Sequence, residues 1–288
     1  MRIDPALVTA LASSVLPAGV AVAARDPRRM PAAADPHEAL SLHNAVPSRL
    51  AEFHAGRAAA RGAMAELGHP SRPVLVGADR APVWPDGLTG SISHTANACV
   101  AAVGLRRDWA GIGVDLEDAT PLDALLVAEV CTRAERIWLG AQPSAERGLM
   151  AKLIFSAKEA AYKAQYPLSG QLFGFDVLEL SIDREACSFN ASFLSAQGTF
   201  AKGAVLAGSY VHAAGLLVTG VTGSGACGGN RDFCSARRQE TAGSGCCANP
   251  FRVARCGAGR TAQGISSGPF AGRTRHARDV GAVGAAGP

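Results

Sequence analysis

The feature that most constrains this chain is a break in composition at Gly220. The 69 residues from there to Pro288 contain no Leu, no Lys, one Ile and fifteen Gly. Such a stretch cannot remove enough apolar surface from water to offset the entropy of ordering its backbone, so disorder is expected there. Any fold must come from residues 1–219, a length that suits one large or two small domains. Charge divides at the same place. The tail carries nine Arg against three acidic residues, whereas residues 1–219 carry 19 basic and 21 acidic groups. The formal net charge of +4 therefore originates in the tail, and nothing in the body requires a nucleic-acid partner. Two readings of 220–288 stand: an Arg-rich arm for nucleic acid, or an unselected extension such as out-of-frame translation of GC-rich DNA. The second is simpler, and the tail is assigned no function.

The cysteines divide likewise. Cys99, Cys131 and Cys187 stand in apolar company and are expected to be buried thiols. Cys227, Cys234, Cys246, Cys247 and Cys256 lie in the tail, without a C-x-x-C spacing and with His276 as the one tail histidine, which argues against zinc. No run of eighteen apolar residues exists, so no membrane span is expected. The opening residues lack a basic lead and an unbroken apolar core, so a secretory signal is not expected and the cytoplasm is the default.

Residues 6–14 suit a short helix and 20–23 a strand, followed by the Pro-rich PAAADPHEA. The clearest helix is VPSRLAEFHAGRAAARGAMAELG, with Pro47 in its first turn, Gly68 at its end and an apolar stripe of Leu50, Phe53, Ala60, Met64 and Leu67. Arg57 and Arg61 share one face of it. After a Pro/Gly-rich loop, SISHTANACVAAVG reads as polar at first and then as a buried strand, and GIGVDLED as a second strand. Residues 121–140 and 144–165 read as helices, and the segments from LFGFDVLELSID to Leu216 as antiparallel strands. Helix and strand thus occur on both sides of about residue 110, giving an expected division into 1–110, 111–219 and the tail 220–288.

Three short stretches carry side chains suited to chemistry. In GVDLED, strand alternation sends Asp115 and Glu117 to one side, about 7 Å apart, where they could grip a hard cation such as Mg²⁺ or simply be solvated. In FSAKEAAYK, a helix places Phe155, Glu159 and Tyr162–Lys163 near one face with Lys158 about 100° round, and Glu159–Lys163 could be an ordinary i,i+4 pair. In SISHT, Ser93 and His94 could donate to a phosphate or could serve as a cap and a core residue. The absence of G-x-S-x-G disfavours a serine hydrolase.

Taken in order, GSISHT (90–95), GVDLED (113–118) and FSAKEAAYKA (155–164), continued by YPLSGQLFGFDVLEL, resemble the 4′-phosphopantetheinyl transferase superfamily, monomeric type. The upstream EFHAGRAAARGAMAELG and GADRAPVWPDG resemble its enterobactin-synthesis branch, and the resemblance covers roughly residues 5–218. It implies an α/β (α+β) fold of two similar halves related by a pseudo-twofold, with coenzyme A between them. It also implies transfer of phosphopantetheine from coenzyme A to a serine of an apo acyl or peptidyl carrier protein in siderophore, nonribosomal peptide or polyketide synthesis. The carried-over metal set is Asp115, Glu117 and Glu159 around Mg²⁺. Glu159 would be the general base, Lys163 would stabilise the pyrophosphate, and Lys158 would assist. Arg57, Arg80, Ser93 and His94 match positions that hold the nucleotide end and its 3′-phosphate. Arg61 could join them or be a surface charge, and Trp84 is expected to pack structurally. Two departures stand out: Phe155 where many relatives carry Trp, and the extension from Gly220, which would replace a last strand. Other readings of the same carboxylates are a Mg²⁺-dependent nucleotide pyrophosphatase, or a non-enzymatic binding protein acting through its tail.

Overall fold

The computed structural model describes residues 3–29, 35–39 and 46–224. The tail beyond Ser224, with its five cysteines and His276, lies outside the described residues, as does most of the Pro-rich connection before Pro47. The chain opens with α1 (Pro5–Ser14), whose Asp4 side chain caps it by accepting from the Ala6 amide, then β1 (Ala21–Arg25) and the one-turn α2 (Pro36–Ala39). Helix α3 (Pro47–Glu66) buries Ala55, Ala59, Ala60, Ala63 and Met64 and stops at Gly68, whose φ of 68° favours glycine. The short β2 (Leu75–Val76) and β3 (Pro82–Val83) follow, then β4 (Leu88–His94), β5 (Cys99–Leu105) and β6 (Trp109–Asp118). Helices α4 (Ala124–Val130), α5 (Arg133–Gly140) and α6 (Arg147–Ser169) precede a 3₁₀ turn (Phe175–Val177). Strands β7 (Leu178–Asp183), β8 (Ser188–Phe193), β9 (Val205–Ala213) and β10 (Leu216–Ser224) complete the fold.

The strands form an antiparallel sheet in the order β1-β5-β4, another in the order β6-β10-β9-β8-β7, and the small β2–β3 hairpin. Each half thus lays one long helix on an antiparallel sheet, α3 on the first and α6 on the second. An apolar core spans the halves, joining Val8 and Leu11 of α1, Val22 of β1, Val100 of β5, Val114 of β6 and Val218 of β10. No described helix is long and apolar enough to cross a membrane.

The sheets are also joined by hydroxyls. Ser91 and Ser93, two apart on β4, point at β6: the Val114 amide donates to Ser91 Oγ at 3.1 Å and the Leu116 amide to Ser93 Oγ at 3.2 Å. Side-chain oxygens here satisfy buried backbone donors that have no strand neighbour on that side.

Several expectations need correction. SISHTANACVAAVG is two strands, β4 and β5, around a turn closed by the Thr95 amide donating to the Ala98 carbonyl at 2.8 Å. The helix expected over 121–140 is interrupted at Cys131, which is extended, because Thr132 and Glu135 form a reciprocal capping box that starts α5. LFGFDV is not strand but ends in the 3₁₀ turn Phe175–Val177, and β7 starts only at Leu178. The boundary at 219/220 falls inside β10, where Gly220 and Val221 pair with Val114 and Gly113. Cys99 and Cys131 are buried, but Cys187 is exposed at φ 51° in the turn between β7 and β8.

Candidate active site

Helix α6 rests on β6 with no side chain between them. A Cβ at Gly113 would lie 1.8 Å from the Ala160 carbonyl oxygen, and one at Gly111 2.0 Å from that of Ala164. Glycine on the strand and alanine on the helix let the backbones approach this closely. The side chains flanking that seam are therefore brought together. From β6 come Asp115 and Glu117; from one stripe of α6 come Lys152, Ser156, Glu159 and Lys163, at helical spacing.

Asp115 is the hub. Its Oδ1 accepts from Lys163 Nζ at 2.6 Å and Ser93 Oγ at 2.9 Å, and its Oδ2 from Ser156 Oγ at 2.8 Å. Ser156 also meets the Thr219 hydroxyl of β10 at 3.0 Å, and Thr219 donates to the Ser156 carbonyl at 2.9 Å. Lys152 Nζ donates to Glu117 Oε2 at 2.9 Å. Burial alone would raise the Asp115 pKa, but Lys163 and the two serine hydroxyls outweigh it and hold the carboxyl below its ordinary range. Burial opposes the Lys163 charge, yet Asp115, Glu159 and Glu117 together keep its ammonium firmly protonated. Glu117 is pushed up to about 7 by burial and by the Asp115 charge, against Lys152. Glu159 is pushed up by burial, with Lys163 opposing and Asp115 adding.

The expected metal set does not stand assembled. Among the described residues no three His, Cys, Asp or Glu side chains could together hold a metal ion; Asp115 and Glu117 are bonded to Lys163 and Lys152 instead. The donor chemistry nevertheless fits a hard cation. Three carboxylates face two lysines, all the anionic donors are oxygen, and burial together with the Asp115 charge pushes up the carboxyls of Glu117 and Glu159.

Lys158 does not join this cluster. It points away from β6, 2% exposed, and donates at 2.9 Å to Glu135 Oε2 and to the carbonyls of Val130 and Phe175. Glu135 in turn accepts from the Thr132 and Leu180 amides at 2.7 Å. With all three donors used, the lysine fastens α6 to α5, the 3₁₀ turn and β7, which is a structural duty.

The residues expected at the nucleotide end are dispersed over three elements. Arg57 on α3 is buried, lies over the Phe53 ring at 4.4 Å and donates through Nε to the Val74 carbonyl at 2.8 Å; burial lowers its pKa to about 10. Ser93 belongs to the Asp115 hub, where Lys163 also reaches it at 3.3 Å. His94 ends β4 and lies 3.5 Å from Glu52, with Arg49 at its other nitrogen. Arg80 is exposed in the turn between β2 and β3. Arg61 is paired with the buried Glu38, and Trp84 packs against the core under α3.

Sequence reasoning did not find Lys152, Ser156, Thr219, Arg49 or Glu52. The first two were within reach, because their steps to Glu159 and Lys163 trace one helical stripe. Thr219 required knowing that β10 pairs with β6, which no local pattern contains.

Two family profiles match the chain: "4′-phosphopantetheinyl transferase N-terminal domain" over residues 36–104 and "4′-phosphopantetheinyl transferase superfamily" over 111–214. Among curated proteins it is similar to 4′-phosphopantetheinyl transferase Svp of Streptomyces mobaraensis, 41% identical over 55% of this chain and 65% of that protein. It is also similar to 4′-phosphopantetheinyl transferase Npt of Nocardia iowensis, 34% identical over 65% of this chain and 82% of the relative. Enterobactin synthase component D of Salmonella typhi is 37% identical over 54% of this chain and 61% of its own length.

Proposed function

The chain belongs to the 4′-phosphopantetheinyl transferase superfamily, and from that premise we propose that it transfers the 4′-phosphopantetheine arm of coenzyme A to a serine hydroxyl of an apo acyl or peptidyl carrier protein. The pathway served would be siderophore, nonribosomal peptide or polyketide synthesis. The observation that supports this reading most is the α6–β6 seam, which gathers Asp115, Glu117, Glu159 and Lys163 in one polar cluster.

In the reaction a bond forms between the serine oxygen and the β-phosphorus of coenzyme A. The bridging P–O bond breaks, and adenosine 3′,5′-bisphosphate leaves with the electron pair. The serine proton passes to Glu159, directly or through one water. A carboxylate that also ligates Mg²⁺ is a weak base, which favours the relay through water over direct transfer. Lys163, kept charged by its carboxylate neighbours, offers its ammonium to the pyrophosphate oxygens on which negative charge accumulates. Asp115 and its hydroxyl partners hold Lys163 in place. Asp115, Glu117 and Glu159 would hold Mg²⁺, which when bound neutralises charge on the diphosphate. Arg57, Arg80 and His94 would bind the nucleotide end. Arginine suits a phosphate because its planar fork can bond two oxygens at once.

Intact-mass analysis of an apo carrier protein incubated with this chain, coenzyme A and Mg²⁺ tests the proposal. The carrier is expected to gain one phosphopantetheine group and adenosine 3′,5′-bisphosphate to accumulate. Cleavage of coenzyme A with the carrier mass unchanged would identify water as acceptor, hence a pyrophosphatase, and would refute transfer.

A further inference from the structure

The β2–β3 hairpin has two residues per strand, too few to hold a shape unaided. It is fastened at two points. At its base, Val74 is gripped from both sides: its carbonyl accepts from Arg57 Nε at 2.8 Å and its amide donates to Glu38 Oε1 at 2.9 Å. At its tip, the Tyr166 hydroxyl donates to Asp79 Oδ2 at 2.6 Å. Tyr166 lies on α6 three residues beyond Lys163 and seven beyond Glu159, so it shares their side of the helix. The hairpin therefore runs from α3 of the first half to the helix that carries the reacting groups.

The same tip holds Arg80 in a left-handed conformation, φ 67°, which costs a residue with a Cβ about 1 kcal/mol or more. Three bonds impose it: the Arg80 amide to the Gly77 carbonyl at 2.9 Å, the Gly77 amide to the Ala81 carbonyl at 2.8 Å, and the Ala81 amide to Asp79 Oδ1 at 3.0 Å. Asp79 thus serves the turn with one oxygen and α6 with the other. Among the described residues the exposed Arg80 guanidinium has neither a hydrogen bond nor an ion pair. The turn is over-determined while the cation it displays is unused, which is the arrangement of a group held ready for an anion.

We propose that Tyr166 is a positioning residue: its bond to Asp79 holds the preformed turn against α6 and so presents Arg80 to the phosphate at the nucleotide end of the substrate. This rests on the reading of coenzyme A as substrate. Tyr166→Phe deletes only the hydroxyl, and its neighbour Tyr162 retains the ring stacking at 5.9 Å. Full-chain wild type, Tyr166→Phe, Arg80→Ala and the double variant are to be compared with coenzyme A and with 3′-dephospho-coenzyme A. Carrier modification and calorimetric binding are both measured.

Loss of one hydrogen bond to a carboxylate is expected to raise the KM and Kd for coenzyme A about tenfold, with kcat changed less than about twofold. The dephospho substrate should not register the substitution, and the double variant should be no worse than Arg80→Ala. Unchanged Kd in Tyr166→Phe would overturn the proposal. So would equal losses with both substrates, or losses that add to those of Arg80→Ala, since a merely structural role gives those results. Binding of coenzyme A without carrier modification would refute the proposed function alone, and the Kd ratios would still decide on Tyr166. Failure of the wild type to bind coenzyme A would refute both.

Discussion

Lys158 and Lys163 lie five residues apart on α6, and each is paired with a buried carboxylate, yet the two sides of the helix they occupy differ in kind. On the Lys158 side, ammonium and Glu135 are both 2% exposed, every donor is used, and the partners are backbone groups that tie elements together. On the Lys163 side, the lysine is 25% exposed and shares Asp115 with two hydroxyls, while Glu117 and Glu159 stand nearby with raised pKa values. The first is a closed network that stabilises the fold. The second is a strained concentration of like charge with an open side, the condition that functional sites commonly show. The lesson is that the two lysines of one short motif are told apart by what saturates them and not by their spacing.

That contrast can be broken by substitution. On the Lys163 side, Asp115→Asn and Glu159→Gln are expected to lower carrier modification at least about a thousandfold while far-ultraviolet circular dichroism remains that of the wild type. On the Lys158 side, Lys158→Met leaves Glu135 buried without its cation, and chemical denaturation should report a loss of about 3–5 kcal/mol. Its rate per folded molecule should remain that of the wild type. A large fall in that rate with stability intact would place Lys158 in the chemistry and erase the distinction.

The smallest expected effect is on acid stability. The folded Asp115 carboxyl is held below its ordinary 3.8, so its stabilising contribution is complete above that value and is lost as pH falls through the lower folded value. Thermal unfolding followed from about pH 6 down to pH 3 should show a shallower decline in Asp115→Asn than in the wild type. Equal slopes would mean that Asp115 is no better stabilised than in the unfolded chain.

Much of this was readable from the sequence because the signals are local. Helix α3 announces itself through Pro47, its apolar stripe and Gly68, and the α6 motif places Glu159 and Lys163 one turn apart. The mixed helix and sheet architecture followed from the same patterns. What remained hidden depends on pairings remote in sequence. The role of Gly111 and Gly113 becomes apparent only once Ala160 and Ala164 are seen to lie against them. Lys158 looked like a reacting group because Glu135, 23 residues away, could not be known to claim it. The Cys131 break in 121–140 is hidden because a run of helix formers outweighs a two-residue capping signal.

On the function proposed above, the carboxylates of β6 and α6 would serve one divalent cation beside the bound diphosphate. Calorimetric titration of Mg²⁺ into the coenzyme A complex tests it most directly, in the wild type and in Asp115→Asn, Glu117→Gln and Glu159→Gln. One site per chain is expected in the wild type, with affinity at least about tenfold weaker in each variant. Equal Mg²⁺ affinity in all four proteins would contradict it.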